Sequence, residues 1–156
     1  MKAFLMTVFA VAALASLAVA ADKPNFSGEW KMDASKSNLG PMPPPDSLIR
    51  KVEYTDPTLT ITEARTGGPQ GDQKATMALS TDGKETTISL FGNDAKAVAA
   101  WEGDALVIKM KASIQGNELN LTQKWTLSED GKVLTDAWHI AAPQGEFDMT
   151  YVLNKQ

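Results

Sequence analysis

From Ser47 to its C-terminus the chain is a series of short runs in which apolar and polar side chains alternate, with turn-forming residues between them. Leu119, Leu121, Trp125 and Leu127 share one parity, with Gln123 as the polar exception, while Asn120, Thr122, Lys124 and Thr126 share the other. Leu106, Ile108 and Met110 alternate with Val107, Lys109 and Lys111, and Phe147, Met149, Tyr151 and Leu153 form a further row. A period of two is the signature of a strand with one buried and one wetter face. No segment after residue 21 carries a 3.6-residue apolar repeat, so little helix is expected.

Turn chemistry marks where the strands end. Thr55–Pro57, Gly67–Pro69, Asp82-Gly83, Gly92-Asn93, Gly103-Asp104, Gly116-Asn117, Asp130-Gly131 and Pro143–Gly145 divide the chain. Glycine and asparagine tolerate positive φ, and Asp or Asn side chains can bond their own turn backbone. The expected strands are 26–32, 48–54, 58–65, 73–80, 85–91, 95–101, 104–112, 117–127, 132–140 and 145–153. Links this short favour antiparallel neighbours. An open sheet of ten would leave two edges unpaired, and closure removes them. The reading is all-β: an antiparallel up-and-down meander of about ten strands, closed or nearly closed into a barrel, with a flattened sandwich as the alternative. Asp-Gly-Lys recurs at 82–84 and 130–132, which hairpin chemistry explains without a duplication.

Residues Met1–Ala20 hold one lysine, an apolar run and a closing Ala18-Val19-Ala20. This is the layout of a secretory signal peptide, and a retained membrane anchor is the weaker alternative. Cleavage near Ala20 removes residues 1–20 from the 156 and leaves 136, enough for one domain over 21–156. The expected location is the periplasm or the extracellular space. Within that domain Gly40–Pro45 holds four prolines in six residues, which bars helix and central strand and reads as a stiff surface connector.

Fifteen basic and nineteen acidic residues give −4, and loss of Lys2 takes the mature chain to −5. That balance argues against nucleic acid as a partner. Cysteine is absent, so disulfides, thiolate metal sites and a cysteine nucleophile are excluded.

Phe26-Ser-Gly-Glu-Trp30, opening the first strand of a secreted β-meander, resembles the Gly-x-Trp signature of the calycins, the superfamily of lipocalins and fatty-acid-binding proteins. The pattern is similar in particular to small secreted bacterial lipocalin-like domains of undefined function. The resemblance implies structural roles for Gly28 and Trp30, with the tryptophan packed across one barrel end. The chain departs from a fatty-acid-binding protein where SKSNLGPMPPP replaces two short helices, and from a lipocalin in ending directly after its last strand. The family's basic cluster for a fatty-acid carboxylate has no match in the late strands, since the only arginines are Arg50 and Arg65.

Four tryptophans, at 30, 101, 125 and 138, can seal a barrel end or line an apolar pocket. Trp101, before a Gly-Asp turn, is expected to cap the sheet from outside. Methionines 32, 77, 110 and 149, with Phe147 and Tyr151, suit either a deformable cavity or ordinary core, and Ala97 and Ala99 leave volume if they point inward. The candidate ligand-binding set is Met110, Gln123, Trp125, Trp138, His139, Met149 and Tyr151, with Gln123, Tyr151 or His139 as polar anchors.

His139 is the only histidine, and Asp136 at i−3 falls on the opposite strand face, a poor orienting partner. No Gly-x-Ser-x-Gly elbow supports a hydrolase triad, and the scattered carboxylates match no calcium loop, so no catalytic residue, metal or cofactor is assigned. The leading function is a secreted, non-catalytic binding protein for a small apolar or amphipathic molecule in the barrel interior. A structural or protein-interaction domain of the bacterial envelope, with a filled barrel, is the alternative. A cavity-based isomerase or cyclase is a minor one, which convergent interior carboxylates would favour.

Overall fold

The computed structural model describes residues 22–68 and 71–156. The signal-peptide segment, 1–20, lies outside the described residues. Ten strands follow one another: β1 (Gly28–Met32), β2 (Ser47–Thr55), β3 (Thr58–Thr66), β4 (Gln73–Ser80), β5 (Asp82–Leu90), β6 (Asn93–Glu102), β7 (Ala105–Ile114), β8 (Asn117–Leu127), β9 (Val133–Ala142) and β10 (Gly145–Lys155). They form one antiparallel sheet in the order β4-β3-β2-β1-β10-β9-β8-β7-β6-β5. Every consecutive pair forms a hydrogen-bonded hairpin except β4 and β5, and β1 pairs with β10 to close the barrel across the chain ends. The result is an all-β meander barrel, complete but for a seam between β4 and β5.

Alternation sets the inner wall. Ala95, Ala97 and Ala99 of β6 face Ala112, Met110 and Ile108 of β7 across the ladder, and all six are buried. Continuing inward are Leu121 of β8, Ile140 of β9, Leu153 of β10 and Trp30 of β1. Burying side chains of this size supplies roughly 1.5–3 kcal/mol each, the main driving force for closure.

One end is closed by aromatic rings. Phe26 stacks on Trp101 at 5.7 Å and meets Trp125 edge-on at 5.5 Å. Trp30 donates its indole N–H to the Phe26 carbonyl at 2.9 Å. Trp101 therefore packs into the barrel end rather than capping it from outside, because it continues the inward parity of Ala95, Ala97 and Ala99. Lys155 lies over the Trp30 ring, its Nζ 5.3 Å from the centroid. A Cβ on Gly28 would meet the Lys155 side chain at 2.9 Å, so the glycine of the Gly-x-Trp motif makes room for this cover.

The opposite end carries the crossing from β1 to β2 and the turns between β3 and β4, β5 and β6, β7 and β8, and β9 and β10. Leu90 pairs with Asn93 and Ile114 with Asn117, so the tight turns are Phe91-Gly92 and Gln115-Gly116 rather than the Gly-Asn pairs. All four turn residues have positive φ, the backbone a two-residue hairpin of the right twist requires.

The β1–β2 crossing is more than a surface connector. Asn38 exchanges backbone hydrogen bonds with Thr150 of β10, and Leu39 is buried, while the prolines follow as a bend leading into β2.

The seam also departs from expectation. Asp82-Gly83 does not join paired strands; Thr81, between β4 and β5, donates its backbone N–H to Pro57 at 2.8 Å, and β5 shifts register between Asp82 and Glu85. On the other side of the seam Gln73 and Ala75 of β4 are exposed, although their partners Arg65 and Glu63 lie on the inner face. The inner wall is open to solvent there.

Candidate functional site

Three inward rows carry charge where an apolar residue would be ordinary: Leu48-x-Arg50-x-Val52 on β2, Leu59-x-Ile61-x-Glu63-x-Arg65 on β3, and Leu134-x-Asp136-x-Trp138 on β9. The sheet order places β1 and β10 between β2 and β9, and the curvature of the barrel brings their inner faces together. Arg50 donates from Nη1 to Asp136 Oδ2 at 2.8 Å, and from Nε and Nη2 to Glu63 Oε2 at 2.9 and 2.7 Å. Arg65 donates from Nε to Glu63 Oε1 at 2.7 Å and holds Nη2 2.7 Å from the same oxygen as an ion pair. Trp138 adds its indole N–H to Asp136 Oδ2 at 2.8 Å.

The four groups form an alternating ladder leading inward from the open part of the wall. Side-chain exposure falls from 27% at Arg65 to 16% at Glu63, 2% at Arg50 and 0% at Asp136. Aromatic faces flank the cations: Arg50 lies 5.0 Å from the Trp125 centroid and Arg65 5.6 Å from that of Tyr151. Tyr151 and Trp138 meet edge-on at 6.4 Å.

Burial and charge set the ionisation of each rung. Burial disfavours the Glu63 carboxylate, but Arg50 and Arg65 together outweigh this and hold its pKa below the ordinary value. Complete burial pushes Asp136 up, since the pull of Arg50 and the Trp138 hydrogen bond offset only part of the penalty. Arg50 is held protonated, its own burial overcome by Glu63 and Asp136. Burial likewise raises the Tyr151 phenol, opposed by Arg65. Among the described residues, three buried polar side-chain atoms have no hydrogen-bond partner: Asp136 Oδ1, Trp125 Nε1 and Trp101 Nε1.

Six of the seven candidate ligand-binding residues face inward and are buried: Met110, Gln123, Trp125, Trp138, Met149 and Tyr151. Five occupy β8, β9 and β10. Gln123 and Met149 lie opposite Trp138 across the two neighbouring ladders, and Trp125 lies opposite Asp136. Met110 is one strand away on β7, opposite Leu121. His139 is not brought to them. Period two turns it out of the barrel, where it is 50% exposed and bonds Asp148 at 2.8 Å.

The charged ladder is not legible from sequence neighbourhood, because closure through β1 and β10 carries the early strands that bear the arginines to the late ones. A local signal did exist, in that Arg50, Glu63, Arg65 and Asp136 each occupy an apolar row. Glu63 and Asp136 do converge inside, but the Arg50 guanidinium stands between them and binds both. The two carboxylates are thus joined through a shared cation and do not face a common open position as an acid and base pair.

A concavity of about 280 Å³ lies on the outer face of β5–β8 among Thr87, Lys96, Lys111, Glu118 and Asn120. Among the described residues, no cluster of three or more histidine or acidic side chains could hold a metal, and no helix is long and apolar enough to cross a membrane.

A ten-stranded antiparallel meander with a Gly-x-Trp first strand, one aromatic-sealed end and first-to-last strand closure is a calycin-like barrel. Solved structures of the same fold include a secretory abundant heat soluble protein from Ramazzottius varieornatus (TM-score 0.60, 10% identity, covering 83% of this chain and 94% of that one). Zebrafish ileal bile acid-binding protein, solved with cholic acid, matches at TM-score 0.58 and 18% identity, covering 84% and 98%. The fluorescent protein UnaG matches at 0.57 and 17%, covering 84% and 97%. Likeness at these identities establishes the fold. No protein-family model matches the chain, and no curated protein matches it in sequence.

Proposed function

We propose that this protein is a non-catalytic carrier that holds a small apolar or amphipathic molecule inside the barrel. The observation that carries the reading is the ladder from Arg65 to Asp136, set into a mostly apolar inner wall and leading inward from the side where that wall is open. A barrel serving only as scaffold has no need of it, since buried ion pairs are often replaceable by apolar side chains at no loss of stability. A few convergent polar groups in an apolar enclosure are what orient a small ligand. The bound cholic acid of the zebrafish protein is consistent with a barrel of this type accepting an amphipathic molecule.

Met110, Trp125, Trp138 and Met149 supply the apolar contacts in this reading, with Gln123 and Tyr151 as polar anchors. Residues 1–20 act as a secretory signal, and the mature chain works in the periplasm or outside the cell. Native mass spectrometry of the protein purified from its source envelope without detergent tests both parts. The expected result is a chain lacking residues 1–20 and carrying an extra mass that is lost on denaturation. A bare polypeptide that also takes up no apolar fluorophore on titration rejects the carrier reading.

A further inference from the structure

The charges of the inner cluster cancel: two arginines meet two carboxylates. Arg50 commits Nε and both terminal nitrogens to Glu63 and Asp136, and Arg65 commits Nε and one terminal nitrogen to Glu63. An anionic ligand head that took Arg50 would displace one of these carboxylates and leave it buried without its cation. The atoms left unpartnered point to another chemistry. Asp136 Oδ1 is a buried acceptor and Trp125 Nε1 a buried donor, and the two residues are cross-strand partners on β9 and β8. A group that donates one hydrogen bond and accepts another complements both.

We propose that the barrel selects ligands whose polar end is uncharged and both donates and accepts hydrogen bonds, such as a primary amide or an alcohol, and discriminates against carboxylates. The proposal rests on the reading of the barrel as a carrier. Like charge brought beside a buried carboxylate is repelled far more strongly than in water, because the surroundings screen it less. Glu63 is the residue that makes the cluster neutral, for without its charge Arg50 and Arg65 together exceed Asp136 by one.

Dansyl-aminoundecanoate and its primary amide differ only at the polar end, so fluorescence titration of the full mature protein with each, at mildly alkaline pH, isolates the effect of charge. The amide is expected to bind at least about tenfold more tightly than the carboxylate. The Glu63→Gln variant is expected to reduce or reverse that ratio by strengthening carboxylate binding. Equal or tighter carboxylate binding by the wild type overturns the proposal and leaves the carrier reading standing. Failure of both probes to bind rejects the carrier reading and the proposal with it. A Glu63→Gln protein with native near-UV circular dichroism and an unchanged ratio also overturns it; should that variant not fold, the wild-type ratio decides alone.

Discussion

The two halves of the inner wall are built differently. On β5–β8 it is mostly hydrocarbon: Ile88, Leu90, Ala95, Ala97, Ala99, Leu106, Ile108, Met110 and Leu121, with Gln123 the buried polar exception. On β2, β3, β9 and β10 it carries Arg50, Glu63, Arg65, Asp136 and Tyr151 in mutual contact. Hydrocarbon burial is non-directional and roughly proportional to area, so the first half supplies stability without demanding one geometry. A buried charge cluster supplies little net stability, yet it tolerates only arrangements that satisfy every partner. The apolar half holds the barrel together, and the polar half fixes one arrangement of the inner side chains.

The largest expected effect tests this division directly. Arg50→Ala leaves Asp136 and Glu63 buried without their shared cation and is expected to cost about 3–5 kcal/mol in urea unfolding. Replacing the whole set, Arg50→Met and Arg65→Met with Glu63→Leu and Asp136→Leu, is expected to restore stability to near the wild-type value while abolishing ligand discrimination. A single Arg50→Ala change costing under about 1 kcal/mol, the net worth of one ordinary hydrogen bond, would show that the cluster is not clamped as described.

On the apolar half, Ala97→Leu adds volume to a fully buried position. A loss of about 1–3 kcal/mol in the same assay is expected from overpacking, together with weaker uptake of apolar probes. Unchanged stability with unchanged uptake would mean that this wall is not close-packed against the interior.

The pH dependence separates the two carboxylates. Glu63 has a lowered folded pKa, so its contribution is present above the ordinary glutamate value of about 4.3 and is lost as the pH falls through the folded value. The stability gap between wild type and Glu63→Gln should therefore narrow on acidification below about pH 4. Asp136 has the opposite sign: its raised folded pKa means that stability is lost as the pH rises through that value. A gap that widens in acid would contradict the assignment for Glu63. The smallest change expected is at Lys111, on the exposed outer face, where Lys111→Gln should alter unfolding free energy by no more than about 0.5 kcal/mol. A larger loss there would give the outer concavity a structural role.

Two turns show how far local sequence reaches. Ser80–Lys84 and Ser128–Lys132 share the pattern Ser-x-Asp-Gly-Lys and fold alike. In each the serine hydroxyl donates to the aspartate, at 2.7 and 2.6 Å, and the lysine N–H donates to the same oxygen at 3.1 Å. Bonds from Lys84 and Ser80 hold the Asp82 pKa down to about 2, and those from Ser128 and Lys132 lower Asp130. Yet the second turn joins two paired strands, while the first sits at the seam, tied to Pro57 through Thr81. The Ser, Asp, Gly and Lys that the two turns share do not distinguish those outcomes.

Strand positions, the alternation along most strands and the low helix content were legible from the chain, because alternation and turn chemistry act over a few residues, although Trp101 was not placed correctly. The same parity rule placed Trp125, Trp138, Met149 and Tyr151 on inner faces and set Asp136 opposite His139. Only the tertiary structure decided that β1 pairs with β10, that the barrel stays unpaired between β4 and β5, and that the proline segment is pinned through Asn38 and Leu39. Arg50 and Asp136 are 86 residues apart, and their contact exists only because closure across the chain ends brings β2 and β9 within reach through the interior. Such pairing depends on which curved sheet can bury all of its inner rows at once, a property of the whole assembly that no single segment contains.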